Sequence, residues 1–265
     1  MPLTTTMTDT PLIFDMHLDL SMNALLYNRD LRWSLERIRR WEHIQCIASN
    51  SRDRVDRGNN TVCFPEMRRG RVGLCVATLI GRYSSYFHNL PGWNSPEQAW
   101  AQSQGQLAWY RIMEEAGELT PIRNRRELDQ HLDLWLNAPL VDDSVDWTTS
   151  RSTETGNPLG FVLSLEGADS ILTPDHLQRS YDDGLRALGL SHYGPGRYAH
   201  GTDDDGPLPQ EGKELLKEMQ RLGIILDVTH LSDQCFWEAL DCYDGPLWAS
   251  HQNCRKLAPW NRQFA

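Results

Sequence analysis

Apolar residues follow two rhythms along this chain. Short continuous runs alternate with stretches in which apolar positions recur at helical spacing. The runs cover residues 12–19, 72–80, 160–166, 185–192, 224–230 and 247–251. Each has strand length and a content of Ile, Val and Leu that suits a strand buried on both faces. The helical stretches cover 33–48, 95–118 and 125–136, a segment opening at Thr173, then 212–222 and 232–242. Ser95 suits an N-cap, with Pro96 at N1 and Gln98 closing a capping box. Thr173 and Pro174 repeat that signal. Leu215, Leu216, Met219 and Leu222 form one stripe, and Gly223 stands where a helix C-cap belongs. Residues 141–158 are rich in Asp, Ser, Thr, Gly and Pro and read as a surface loop.

Strand and helix in alternation predict an α/β fold with a parallel sheet and helical crossovers. The pattern holds six strands, whereas a (β/α)8 barrel has eight. Two architectures fit at this point: an open doubly wound sheet, or a TIM-type barrel of which the sequence carries the first six βα units.

The ends of the runs carry the chemistry. The first holds His17-Leu-Asp19, the third ends on Glu166, the fifth on His230 and the sixth on His251. On a strand, His17 and Asp19 point to one face. A carboxylate that ends an apolar run needs a partner, because an unpaired buried charge is costly. In a parallel barrel the C-terminal strand ends gather on one face. Three histidines and two carboxylates gathered there are the donor set of a metal centre. His192 ends the fourth run and suits stabilisation of a developing oxyanion. Arg262 can grip a substrate carboxylate through its planar fork.

Composition narrows the function classes. The 265 residues carry a formal net charge of −10, which argues against a nucleic-acid footprint. The basic runs at 37–40 and 123–126 read as solvated helix faces. No stretch approaches the ~18 apolar residues of a membrane span. The first ten residues show no basic or apolar leader region, which points to a cytoplasmic protein. Six cysteines without a C-x-x-C pair read as small buried residues, with Cys235 and Cys242 on one helix face. The acidic triplet 203–205 reads as a loop.

Five pieces together resemble a known family: Asp15-Met-His-Leu-Asp-Leu20, Ser164-Leu-Glu-Gly167, Gly184-Leu-Arg-Ala-Leu-Gly-Leu-Ser-His192, Asp227-Val-Thr-His-Leu-Ser-Asp233 and Ala249-Ser-His-Gln-Asn-Cys-Arg255. Their order and spacing are similar to those of the membrane (renal) dipeptidases, binuclear zinc peptidases of the amidohydrolase-like barrels. The resemblance implies a single metal-dependent hydrolase barrel domain over 1–265, incomplete at its C-terminus and lacking the family's acidic residue after the eighth strand. It implies two Zn2+ ions, other divalent metals being compatible, with His17 and Asp19 on the first, Glu166 bridging, and His230 and His251 on the second. It implies that Glu166 and His192 serve catalysis and that His192 and Arg262 bind substrate. The implied reaction is hydrolysis of short dipeptides by a metal-bridging hydroxide, with a D-residue tolerated at the C-terminal position. Leu18 stands where the family often has Asn, and on the opposite face from the ligands. Cleavage of N-acyl amino acids, or metal binding without turnover, remain the alternatives. The partner expected is a dipeptide, with neither nucleic acid nor membrane span, and homodimerisation is left open.

Overall fold

The computed structural model describes residues 11–49, 56–84, 92–138 and 156–264. The reading of the first ten residues, and that of the loop 141–158 except its last three residues, lie outside the described residues. The chain runs β1 (Ile13–Leu18), α1 (Leu20–Leu26), α2 (Leu35–Ser49), α3 (Phe64–Arg69), β2 (Val72–Leu79), α4 (Pro96–Glu115), β3 (Leu119–Pro121), α5 (Arg125–Leu136), β4 (Leu159–Leu165), α6 (Pro174–Asp182), β5 (Leu185–Gly189), α7 (Gln210–Leu222), β6 (Ile225–Asp227), α8 (Asp233–Cys242) and β7 (Leu247–Trp248). The strand order is β1-β2-β4-β5-β6-β7, with β3 paired to β4. Alternating crossovers thus produce the parallel α/β sheet that the apolar rhythm predicts.

Two compact units divide the chain, Met1–Cys75 with Tyr110–Phe161 and Val76–Trp109 with Val162–Ala265. In the first, Ile13 N donates to Arg71 O at 2.8 Å, and β3 lies parallel to β4 with Leu119 opposite Leu159. Helix α5 packs tightly there. A Cβ on Gly160 would strike the His131 ring, so only glycine admits the helix this close. His131 Nε2 meets Gly73 O at 2.7 Å and Trp135 Nε1 donates to Pro158 O at 2.9 Å. Tyr110 stacks on Phe161 and accepts from Ser21 N. Arg68 is fully buried and donates to Glu118 Oε2 at 2.9 Å, to Glu118 O and to Asn157 O.

In the second unit β4 to β7 are parallel neighbours, with Leu163 opposite Leu185, Ala187 opposite Ile225 and Leu226 opposite Leu247. The α7 stripe buries Leu215, Leu216 and Met219, and Gly223 takes the left-handed cap at φ 70°. The Arg37, Arg39, Arg40, Arg123, Arg125 and Arg126 side chains are exposed, as the basic runs suggest.

Several details differ from the pattern reading. The strands expected to reach residues 192, 230 and 251 stop at Gly189, Asp227 and Trp248, so their histidines sit in turns. At the first of these, His192 O accepts from Thr202 N, a bond within its own loop and not within the sheet. The seventh strand, β3, is three residues long, too short for a period-two signal. Helices α1 and α3 have seven and six residues and no side-chain cap. Cys235 is buried but Cys242 and Cys254 are exposed, so not all cysteines are core residues. Thr173 bonds His176 Nδ1 instead of capping α6. Among the described residues no helix is long and apolar enough to cross a membrane.

The Arg68–Glu118 pair generates a stability prediction. Removing one partner of a buried ion pair strands the other, at about 3–5 kcal/mol. We expect Glu118→Ala to lower the unfolding free energy by about that amount in urea titration, and Arg68→Met/Glu118→Leu to lose clearly less. Equal losses would remove the stranded charge as the cause.

Candidate metal centre

Glu166 follows β4 directly, its backbone N donating to Leu79 O at 2.8 Å and its side chain only 9% exposed. Three imidazoles converge on its Oε1. His230 Nε2 lies 3.1 Å away, His251 Nε2 3.3 Å and His192 Nε2 3.6 Å. Donor atoms of Glu166, His192 and His230 all fall within 4.8 Å of one another. The rings stack edge to face, with centroids 4.3 Å apart for His192 and His230 and 5.2 Å for His230 and His251.

Each ring is held from behind through Nδ1. His230 Nδ1 meets Thr202 Oγ1 at 2.9 Å. His251 Nδ1 meets Ser250 Oγ at 2.7 Å, and Ser250 Oγ in turn donates to Asp227 Oδ2. Asp227 Oδ1 accepts from Thr229 N and Ser250 N at 3.1 and 3.2 Å, so this carboxylate ties the end of β6 to the end of β7. His192 Nδ1 faces the guanidinium of Arg82. Such outer partners orient ligand rings and select their tautomers.

The loops that deliver these side chains have local causes. His192 and Thr202 close one loop, through Thr202 N to His192 O at 3.0 Å and Gly194 N to Thr202 O at 2.8 Å. A Cβ at Gly201 would collide with the His192 carbonyl, so the closure requires glycine. His230 adopts φ 72°, a left-handed conformation that costs a non-glycine residue roughly 1–2 kcal/mol. Strained backbone of this kind collects at functional sites.

Arg262 is placed beside the cluster. Its Nη2 donates to His251 O at 2.8 Å, its Nη1 to Gln252 Oε1, and Gln252 Nε2 returns a bond to Arg262 O. Burial lowers its pKa, opposed by Tyr193, Glu166 and Asp227. In the first unit, His17 Nε2 and Asp19 Oδ1 are 3.6 Å apart at the end of β1, both partly exposed. Asp19 lies just past the strand, where it precedes α1. His17 N donates to Asp15 Oδ1 at 3.0 Å, which fixes the segment carrying the pair.

The donor set fits a divalent cation. One carboxylate oxygen cannot accept from three imidazoles at once. A cation would use the Nε2 lone pairs of His230 and His251 together with that oxygen. Burial holds the His230 pKa below the ordinary imidazole value, which keeps its lone pair available. Motif reading picked out Glu166, His192, His230, His251 and Arg262. It gave no role to Arg82, Thr202, Asp227 or Ser250. Two of these four, Asp227 and Ser250, lie inside the motifs, where a carboxylate or hydroxyl within three residues of a ligand histidine is the available signal, whereas Thr202 stands ten residues past His192 and outside them. Arg82 follows an ordinary apolar strand and gave none.

A sequence profile of the membrane dipeptidases, peptidase family M19, matches residues 4–264. An uncharacterized protein of the PQQ-III 3′ region of Acinetobacter calcoaceticus is 32% identical over 115 residues, 40% of this chain and 36% of that protein. Dipeptidase verJ of Clonostachys rogersoniana is 29% identical over 116 residues, 42% of this chain and 29% of that protein. The matched segments therefore span well under half the length of these curated relatives. Among solved structures, dipeptidase AC, a metallo peptidase of family M19, aligns with TM-score 0.68 at 22% identity, covering 97% of this chain and 67% of that one. A metallo peptidase from Rhodobacter sphaeroides, liganded with a phosphinate mimic of L-Ala-D-Ala, aligns with TM-score 0.69 at 22% identity, covering 97% and 69%. These likenesses establish a shared fold.

The buried His230 gives a pH prediction. Its unfolded form titrates near 6.5, whereas burial depresses the folded value. Between those values the unfolded chain binds more protons, so stability falls as pH drops through about 6.5. His131, also lowered by burial, adds the same sign. We expect metal-free protein to lose stability between about pH 7.5 and 5.5, and His230→Gln to flatten that slope in denaturant titrations. Parallel slopes in the two proteins would exclude His230 as a source.

Proposed function

The chain belongs to the membrane dipeptidase family, peptidase family M19, and from that membership we propose that it acts in metal-dependent hydrolysis of the amide bond of short dipeptides. The observation that carries this reading is the convergence of imidazoles on the buried Glu166 carboxylate, with each ring held through its Nδ1. In this reading zinc is the metal and there are two ions. His17 and Asp19 would hold one, His230 and His251 the other, and Glu166 would contribute to both. The ions would polarise the scissile carbonyl and lower the pKa of a water.

The chain's own groups do the rest. Glu166 concentrates negative charge where cations are needed, and its burial keeps competing water away. Thr202 and Ser250 hold the rings of His230 and His251 so that their Nε2 lone pairs face inward. His192 presents Nε2 to the carbonyl oxygen, where negative charge develops as the carbonyl carbon becomes tetrahedral. Arg262, braced by His251 O and Gln252, aims its remaining N–H bonds at the substrate's terminal carboxylate. The mimic of L-Ala-D-Ala bound by the Rhodobacter sphaeroides relative supports acceptance of a D-residue at that end.

The likeness to the M19 structures over 97% of the chain supports assigning the parallel sheet to a TIM-type barrel. The six free cysteines support a reducing, cytoplasmic setting.

Zinc-loaded protein is expected to hydrolyse L-Ala-L-Ala and L-Ala-D-Ala, to lose the activity with chelator and to regain it with zinc. Glu166→Gln should lower kcat at least ~1000-fold. Arg262→Met should raise KM roughly 10- to 100-fold, the worth of a charged hydrogen bond. Cleavage of N-acetyl amino acids with no cleavage of dipeptides would replace the dipeptidase reading by the N-acyl one.

A further inference from the structure

The three imidazoles around Glu166 are of two kinds, and the difference lies behind them. Behind His230 and His251 stand hydroxyls, Thr202 Oγ1 and Ser250 Oγ. A hydroxyl can accept a hydrogen bond from an Nδ1–H. For Ser250 it must do so, because its own hydrogen is given to Asp227 Oδ2. The His251 ring thus carries hydrogen on Nδ1 and leaves Nε2 with a lone pair, and the Thr202 hydroxyl, able to accept as well as donate, allows the same at His230. Behind His192 stands Arg82, whose Nη2 faces Nδ1. A guanidinium has five N–H donors, no acceptor, and does not lose its proton in proteins. The nitrogen it faces must supply the lone pair.

We propose that Arg82 is a positioning residue that fixes His192 as the Nε2–H tautomer, making this ring a hydrogen-bond donor and excluding it from the metal ligands. The donor geometry of Glu166, His192 and His230 would otherwise admit all three as ligands of one ion. With hydrogen on Nε2, His192 has no lone pair to offer at the site. Its Nε2 lies 3.6 Å from Glu166 Oε1, an N–H facing a carboxylate oxygen.

The setting of Arg82 suits this role. It lies three residues past β2, and the neighbouring backbone is anchored by Tyr83 N donating to the buried Asp169 Oδ2 at 3.2 Å. Asp169 and Glu166 favour the charged guanidinium against the cost of its burial. Asp169 Oδ1 also accepts from Arg197 N at 2.9 Å, in the loop that runs from His192 to Thr202. The carboxylate therefore joins the segment carrying Arg82 to the loop carrying its target.

The test reads tautomers directly. In protein labelled with 15N-histidine, long-range 1H–15N correlation spectra distinguish protonated from bare ring nitrogens, and His192→Gln identifies the signal. The wild type should show Nε2 protonated and Nδ1 bare at His192, with and without zinc. Arg82→Lys, which still offers only donors, should keep that pattern. Arg82→Gln, whose amide can also accept, should populate the other tautomer. Zinc content should fall in His251→Gln and stay unchanged in His192→Gln. A bare Nε2 at His192 in the wild type, or loss of zinc in His192→Gln, overturns the proposal. A kinetic arm rests on the dipeptidase reading. There Arg82→Gln should lower kcat about 10- to 100-fold with KM within about threefold, and Arg82→Lys should recover most of it. A protein inert toward every dipeptide but showing the expected tautomer would defeat that reading and leave the role of Arg82 standing.

Discussion

A carboxylate that is nearly withdrawn from water governs the second unit of this protein. Glu166 sits at the end of an apolar strand, where an ionised group needs compensation from its surroundings. The compensation comes from imidazole nitrogens brought in by the turns after β5, β6 and β7. Each of those turns is itself held by a polar contact behind the ring. Remove the carboxylate and three aligned rings have nothing to face. Remove the backing contacts and the rings are free to rotate away. The charge and its frame therefore depend on one another.

The frame exists because the strands stop early. Parallel pairing ends at Gly189, Asp227 and Trp248, and the chain uses the next few residues to turn the histidines inward. At His230 this requires a left-handed backbone conformation that the packed strand and the Ser232-capped helix α8 maintain. Ser232 N donates to His200 O at 3.0 Å, so the turn is tied to the loop that also carries Thr202. Sheet, turn and cap act together to hold a ring in a position that its own backbone preference opposes.

Much of this was legible in the sequence. The apolar runs located six of the seven strands among the described residues, and the caps at Ser95 and Gly223 marked where α4 begins and α7 ends. The donor residues stood at the ends of those runs. What escaped was whatever depends on contacts between distant segments. Arg82 and His192 are 110 positions apart, and nothing in either neighbourhood announces the other. Strand ends were overestimated because Leu-Ser-His and Val-Thr-His continue the apolar composition after the hydrogen-bonded pairing has stopped. The burial expected of the cysteines fails at Cys242 because composition does not reveal where a helix leaves the core: Cys242 is the last residue of α8 and is exposed, while Cys235 on the same face is buried.

The loop between His192 and Thr202 has an implication of its own. Its first residue is one imidazole, and its last is the hydroxyl that braces another. The two are pinned together by backbone bonds that leave no space for a side chain at Gly201. Any insertion or deletion in this hairpin would shift both rings in concert. Lineage variation here is thus expected to come as whole-segment replacement, because a single-residue drift would detune two groups through one yoke.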